Sequence, residues 1–144
     1  SPLQQLIANK QITLTFFYFN DTYLVAYDEE RIIQVVNNLV SNAIKFCKIN
    51  NGTITIDVDS KDTNVTVAVA NNGAPIPEGE LLTIFDKFYQ SQNQNSIKPI
   101  GSGLGLAISK QIIEMHQGEI WAENQVIEGV IFTFTIPLQK TTVL

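Results

Sequence analysis

Asn38, Asn42 and Lys45 fall within a segment whose apolar residues recur at helical spacing. At about 100° per residue, Ile32, Ile33, Val35, Val36, Leu39, Val40, Ala43, Ile44, Phe46 and Cys47 cover roughly half of such a helix. Arg31, Asn38, Asn42 and Lys45 fall within about 60° of one another on the other half. An amide oxygen is a hard ligand suited to Mg²⁺, and a lysine one turn away can neutralise phosphate oxygens. The same stripe also fits the solvated face of an amphipathic helix. Composition is the argument against that plainer reading. Asparagine forms helix less well than Glu, Lys or Ala, the residues a merely exposed face would carry.

A second group is GSGLGL, Gly101 to Leu106, with three glycines at the entrance of a helix. Without side chains there, backbone N–H groups can approach an anion, and the positive end of the helix favours negative charge. Glycine-rich turns before helices are common, so this segment alone carries little. It matches neither the dinucleotide fingerprint of a βαβ unit nor a phosphate loop ending in Gly-Lys-Ser/Thr. The strand and loop from Val65 to Pro77 form a third candidate, equally readable as an ordinary strand-to-helix turn.

The elements that must position these groups can be read along the chain. Ser1 to Asn9 reads as a short helix or linker, placing residues 1–11 before the domain proper. Ile12 to Phe19 is β-branched and aromatic, hence a strand, and Tyr23 to Tyr27 is a candidate short strand. A long helix is expected from Glu29 to Cys47, with Asp28 as its N-cap and Glu29 and Glu30 favourable in its first turn. Thr53 to Asp59 and Asn64 to Ala70 alternate as a hairpin, followed by a loop at 72–77 and a short helix around Glu78 to Phe85. Gln90 to Ile100 is polar and expected to be a mobile loop. A helix to about His116 and strands at Glu119 to Glu123 and Val130 to Pro137 complete a domain over 12–138, leaving 139–144 as a tail. The fold class is α+β: a two-layer α/β sandwich, its mixed, mostly antiparallel sheet covered by helices on one face.

Composition narrows the function classes. The 144 residues suffice for one domain with a proper core, and 44% apolar with 16% charged residues is the balance of a folded chain. A net charge of −5 offers no basic footprint for nucleic acid or an anionic membrane. No apolar run approaches the roughly 18 residues of a membrane span, and no signal-peptide pattern opens the chain. Cys47, the single cysteine, excludes an internal disulfide and fits a reducing compartment. The expectation is a cytoplasmic domain without direct membrane contact, whose parent protein can still be anchored elsewhere.

Taken in order, these segments resemble the catalytic domain of sensor histidine kinases. DEERIIQVVNNLVSNAIKF is similar to their asparagine box, VTVAVANNGAPIP lies where their first glycine box belongs, and IFDKFY resembles their phenylalanine box. GSGLGLAISKQIIEMHQGEI resembles the second glycine box with its helix and strand, and GVIFTFTIPL resembles the last strand. The match runs from about Ile12 to Leu138. It implies the Bergerat sandwich shared with gyrase, heat-shock-90 and MutL ATPases, with ATP and Mg²⁺ as cofactors. It also implies transfer of the γ-phosphoryl group to a histidine on a separate dimerisation domain of the same parent, in a segment preceding Ser1, with a response regulator downstream.

By position, the resemblance makes Asn42 the metal ligand and gives Asn38 and Lys45 catalytic as well as nucleotide-binding roles. Asn71, Gly73 and Ile76 would meet the base. Gly101, Ser102, Gly103, Leu104, Gly105 and Leu106 would cradle the β- and γ-phosphates. Gln90 to Ile100 becomes the lid, with Lys98 reaching phosphate; Phe88 joins the nucleotide set, and Phe85 and Phe88 anchor the lid base or pack in the core.

The family's first glycine box usually reads Asp-x-Gly-x-Gly; here Asn71 replaces the aspartate and Pro75 the second glycine. An amide oxygen still accepts from the adenine amine, without charge. Proline donates no backbone hydrogen bond and restricts φ. Two alternatives follow: a degenerate module that keeps the fold with weak or no ATP binding, or another Bergerat ATPase of the anti-sigma-factor or gyrase kind. IFDKFY favours the histidine kinases over the second. His116 near a helix end is read as structural, not as the phosphoacceptor, and Cys47 and Trp121 as packing residues.

Overall fold

The computed structural model describes residues 12–18, 27–61, 63–87 and 104–138. Strand β1 (Thr13–Tyr18) precedes helix α1 (Glu29–Phe46), then come strands β2 (Thr53–Lys61) and β3 (Asn64–Asn71), helix α2 (Gly105–Met115), and strands β4 (Ile120–Asn124) and β5 (Val130–Pro137). The sheet order is β1-β2-β3-β5-β4. Only β1 and β2 run parallel; the other three pairings are antiparallel. The crossover between the parallel pair is α1, so the asparagine-bearing helix is obliged to lie across the sheet.

Register puts one apolar set on the helix side. Ile56, Val69, Phe132 and Ala122 form one cross-strand row, and Val58, Val67, Phe134 and Ile120 the next. Against these rows lie Val35, Leu39, Val40, Ala43 and Ile44 of α1 and Ile112 and Ile113 of α2, giving a single buried core. Cys47 belongs to that core, as read from the sequence. Ile33, assigned to the apolar half of α1, is 50% exposed, because the buried stripe is narrower than the apolar one. Phe85 packs edge-on against Phe132, with ring centroids 6.3 Å apart, which is the core reading of that residue.

Helix α1 begins where expected. The Asp28 side chain accepts from the Arg31 N–H at 3.3 Å, and Glu29 and Glu30 occupy the positive first turn. His116, at the end of α2, closes the same end of the layer. Its Nδ1 lies 2.8 Å from the Ile112 carbonyl, and its Nε2 accepts the Asp28 N–H at 2.9 Å. Accepting at Nε2 while donating from Nδ1 requires a neutral ring, so His116 links the end of α2 to the start of α1 as one defined tautomer.

Three expectations change. The short helix around Glu78 to Phe85 is two separate 3₁₀ turns, Glu78–Glu80 and Thr83–Phe85. Eight residues containing Gly79 cannot repay helix nucleation, and only Ile84 and Phe85 are drawn into the core. Strand β3 runs past its expected end because partners on both sides pair with it to Asn71, and β2 runs on to Lys61 because its ladder with β3 continues to the Lys61–Asn64 pair. Tyr27 belongs to no strand, and the remainder of that expected strand lies outside the described residues. Among the described residues no helix is long and apolar enough to cross a membrane.

Candidate nucleotide site

The polar stripe of α1 meets the entrance of α2. The Asn38 amide Nδ2 donates to the Gly105 carbonyl and to Ser109 Oγ, each at 3.2 Å. Ser109 is fully buried, so this amide fixes the asparagine-bearing helix against the first turn of the glycine-led one. Among the described residues, the atoms nearest to a Cβ on Gly105 would be those of Asn38, at 3.8 Å or more. Packing against the described residues therefore does not demand glycine there. Leu104 gives α2 no side-chain cap, and no acidic residue occupies its first turn. Its leading N–H groups thus keep the positive potential an anion would use.

One turn along α1, Asn42 is half-buried, and its side chain has no hydrogen-bond partner among the described residues. Lys45 lies a further turn on, with Nζ 5.2 Å from the centre of the Phe46 ring. Burial pushes the Lys45 ammonium below its ordinary value.

Asn71 ends β3 on the helix-facing side, in a cross-strand row with Ile54 and Val130. It is 3% exposed, and its Oδ1 accepts the Gly73 N–H at 2.8 Å. Gly73 is required by close approach: a Cβ would stand 1.8 Å from the Phe46 carbonyl oxygen. The loop thus leaves β3 pressed beneath the C-terminal end of α1. Ile76 is partly buried against the core, and Pro75 is exposed.

The structure accordingly brings Asn38 to Gly105 and Ser109, sets Asn42 and Lys45 along the same helix, and puts Asn71 and Gly73 against that helix's end. Leu104 and Leu106 flank Gly105, and Leu106 packs on the core. Phe88, Lys98, Gly101, Ser102 and Gly103 lie outside the described residues. Sequence reasoning missed Ser109, Asn72 and Asn124. Asn72 Oδ1 accepts from Lys48 N and Thr53 N, and its Nδ2 donates to the Asn51 carbonyl, pinning the loop to the α1–β2 turn. Nothing in linear spacing relates Ser109 to Asn38, or Asn124 to the loop. A shallow groove of about 350 Å³ along Lys110, Glu114 and Trp121 contains none of the predicted residues.

A family model described as histidine kinase-, DNA gyrase B-, and HSP90-like ATPase matches residues 27–140. The sensor histidine kinase WalK of Bacillus subtilis is 35% identical over 117 residues, 81% of this chain and 19% of that protein. The adaptive-response sensory kinase SasA of Synechocystis is 35% identical over 95% of this chain and 35% of its own length. The chain thus spans about a fifth to a third of these relatives. The catalytic domain of histidine kinase ThkA, in a nucleotide-free form, superposes with a TM-score of 0.80 at 39% identity, covering 94% of this chain and 86% of that one. ThkA in complex with the response regulator TrrA gives 0.78 at 37% identity, over 96% of this chain and 37% of that one. The family match and the superposition agree, and the chain belongs to the histidine kinase-, gyrase B- and HSP90-like ATPase family as a Bergerat-fold catalytic domain of the sensor histidine kinase type.

Proposed function

We propose that this domain holds Mg·ATP between the polar stripe of α1 and the start of α2 and donates the γ-phosphoryl group to a histidine on a separate dimerisation segment of its parent. The observation that carries this reading is the junction at Asn38, where one amide ties the helix bearing Asn42 and Lys45 to an uncapped, glycine-led helix start. Among the described residues no three His, Cys, Asp or Glu side chains cluster into a metal cage. A lone amide oxygen such as that of Asn42 fits Mg²⁺, which keeps most of its waters and takes its other ligands from phosphates. When bound, the metal would neutralise charge on the transferring phosphoryl group. The protein's own part is positioning. Lys45 and the leading N–H groups of α2 would hold phosphate oxygens, and Asn71 would accept from the adenine amine. The ThkA–TrrA complex supports a response regulator as the downstream partner. This reading locates the domain in the cytoplasm, whether or not the parent is anchored.

Calorimetric titration with Mg·ATP and Mg·ADP tests the reading. The wild type should bind both, and Asn42→Ala should lose the Mg²⁺-dependent part of the affinity while keeping native circular dichroism. Wild-type protein that binds neither nucleotide would instead establish the degenerate module that Asn71 and Pro75 bring into question.

A further inference from the structure

The loop at 72–77 departs from its family's pattern, yet side-chain amides tether it at three places. Asn124 ends β4 in the same helix-facing row as Asn71, with Val130 of β5 between them. Its Oδ1 accepts the Ile76 N–H at 2.8 Å, and its Nδ2 donates to the Ile76 carbonyl at 2.7 Å and to Glu78 Oε1 at 3.2 Å. One side chain thus satisfies both backbone groups of one loop residue, as a neighbouring strand would. At the other end, Asn71 Oδ1 holds the Gly73 N–H, and Asn72 binds the α1–β2 turn. The loop therefore crosses two strand spacings, roughly 10 Å, tied down at each side. Beneath it, Gly129 has φ +95° and packs so closely that a Cβ would lie 1.9 Å from the Asn71 carbonyl oxygen.

We propose that Asn124 is a positioning residue for the base end of the nucleotide site, holding the loop in its binding shape so that Pro75 can stand where the family has a second glycine. The inference rests on the nucleotide reading above. Two of its features come from the loop itself. The tethered N–H groups belong to Gly73 and Ile76, on either side of Pro75, so the missing proline N–H removes none of these bonds. Proline also narrows the conformations open to the untethered loop, and the clasp selects among those that remain. Asn124 touches the loop and not the reacting phosphates. Its loss should therefore weaken every adenine nucleotide by one common factor, whereas damage at Asn42 or Gly105 acts on the phosphate end.

The test uses the 144-residue chain in wild-type, Asn124→Ala and Asn124→Asp forms, with Ile136→Val, a core change at the far end of β5, as a control for mild destabilisation. Asn124→Asp is isosteric and keeps the Oδ1 acceptor for the Ile76 N–H, but it loses the Nδ2 bonds to the Ile76 carbonyl and to Glu78 and sets a carboxylate against both, so it serves if the alanine variant does not fold. Titration with ATP, ADP and adenosine should show Kd raised about tenfold for all three in the Asn124 variants and unchanged in Ile136→Val. The Ile76 amide should exchange slowly with deuterium in the free wild type and at least tenfold faster in Asn124→Ala. Wild type that binds while a folded Asn124 variant binds equally well, or loses ATP affinity alone, overturns the positioning role. Wild type that binds no nucleotide overturns the functional reading and this inference with it.

Discussion

Asn71 and Lys45 are the residues at which charge decides how well this site would work. Asn71 is buried and already uses its Oδ1 to hold Gly73, a bond that an aspartate oxygen would keep. Asn71→Asp should therefore leave the loop in place while making the proposed bond to the adenine amine charge-assisted. Such bonds contribute about 1.5–3 kcal/mol against about 1 for neutral ones, so ATP should tighten roughly three- to thirtyfold. Desolvation of the new carboxylate favours the lower end. GTP, whose purine presents a carbonyl at that position, should gain little, and parallel titrations with the two nucleotides check this. Lys45 gives a pH dependence. Its folded-state value lies below the ordinary 10.5 because burial disfavours the charged form. Between those two values the unfolded chain holds more protons than the folded one, so this group's unfavourable contribution fades and stability rises with pH. Nucleotide affinity should move the other way, falling as pH climbs through the lowered value and phosphate loses its cation. Calorimetry from neutral into the alkaline range should show that fall in the wild type. Lys45→Arg, which stays charged, should flatten it.

At the scale of elements, the two glycines named for the site have different physical reasons. Gly73 is glycine because the Phe46 carbonyl leaves no room for a side chain, whereas among the described residues a Cβ at Gly105 would make only ordinary contact with Asn38. Gly105→Ala should thus be tolerated by the fold. It should gain up to about 1 kcal/mol of helix propensity, less at a helix start than in mid-helix. The same change should weaken ATP about tenfold or more, by keeping phosphate from the backbone. Thermal melting together with ATP titration separates the two effects. A variant that melts as high as wild type and binds ATP equally well would remove Gly105 from the phosphate cradle. The Asn38 bridge makes the pairing of α1 with α2 a feature of the site as well as of the core, because the amide that joins them lies among the proposed phosphate contacts.

For the molecule as a whole, the chain spans only part of its relatives, and the reading requires an acceptor histidine from elsewhere in the parent. His116 is not available for that role. Both ring nitrogens are engaged, one with the Ile112 carbonyl and one with the Asp28 N–H, at the opposite end of α2 from Gly105. Incubated alone with labelled ATP, the chain should remain unlabelled. Mixed with the parent's histidine-bearing dimerisation segment, it should yield acid-labile label on that segment. Stable phosphohistidine at His116 would contradict the assignment.

How much of this was legible in the sequence depends on the range of the interaction involved. Local signals located α1 to within a residue: an N-cap aspartate, acidic residues in the first turn and a 3.6-residue apolar period are all short-range. Period-two alternation located β2 to β5, with ends displaced by a residue or two, and the order of four short motifs carried the family. The stretch Glu78 to Phe85 misled because its helix propensity had no packing to support it along most of its length. Other features had no local signal. Asn71 became a strand residue because Ile54 of β2 and Val130 of β5 pair with it on either side, and Asn124 reaches Ile76 across forty-eight positions. Asn38, legible only as one member of a polar stripe, acquired its partners Gly105 and Ser109 when the helices came to lie side by side. Sequence by itself determined which segments form elements and which residue types line them, because propensity and periodicity act over a few residues. Only the tertiary structure decided which amide clasps which backbone, because those partners meet only when distant elements pack.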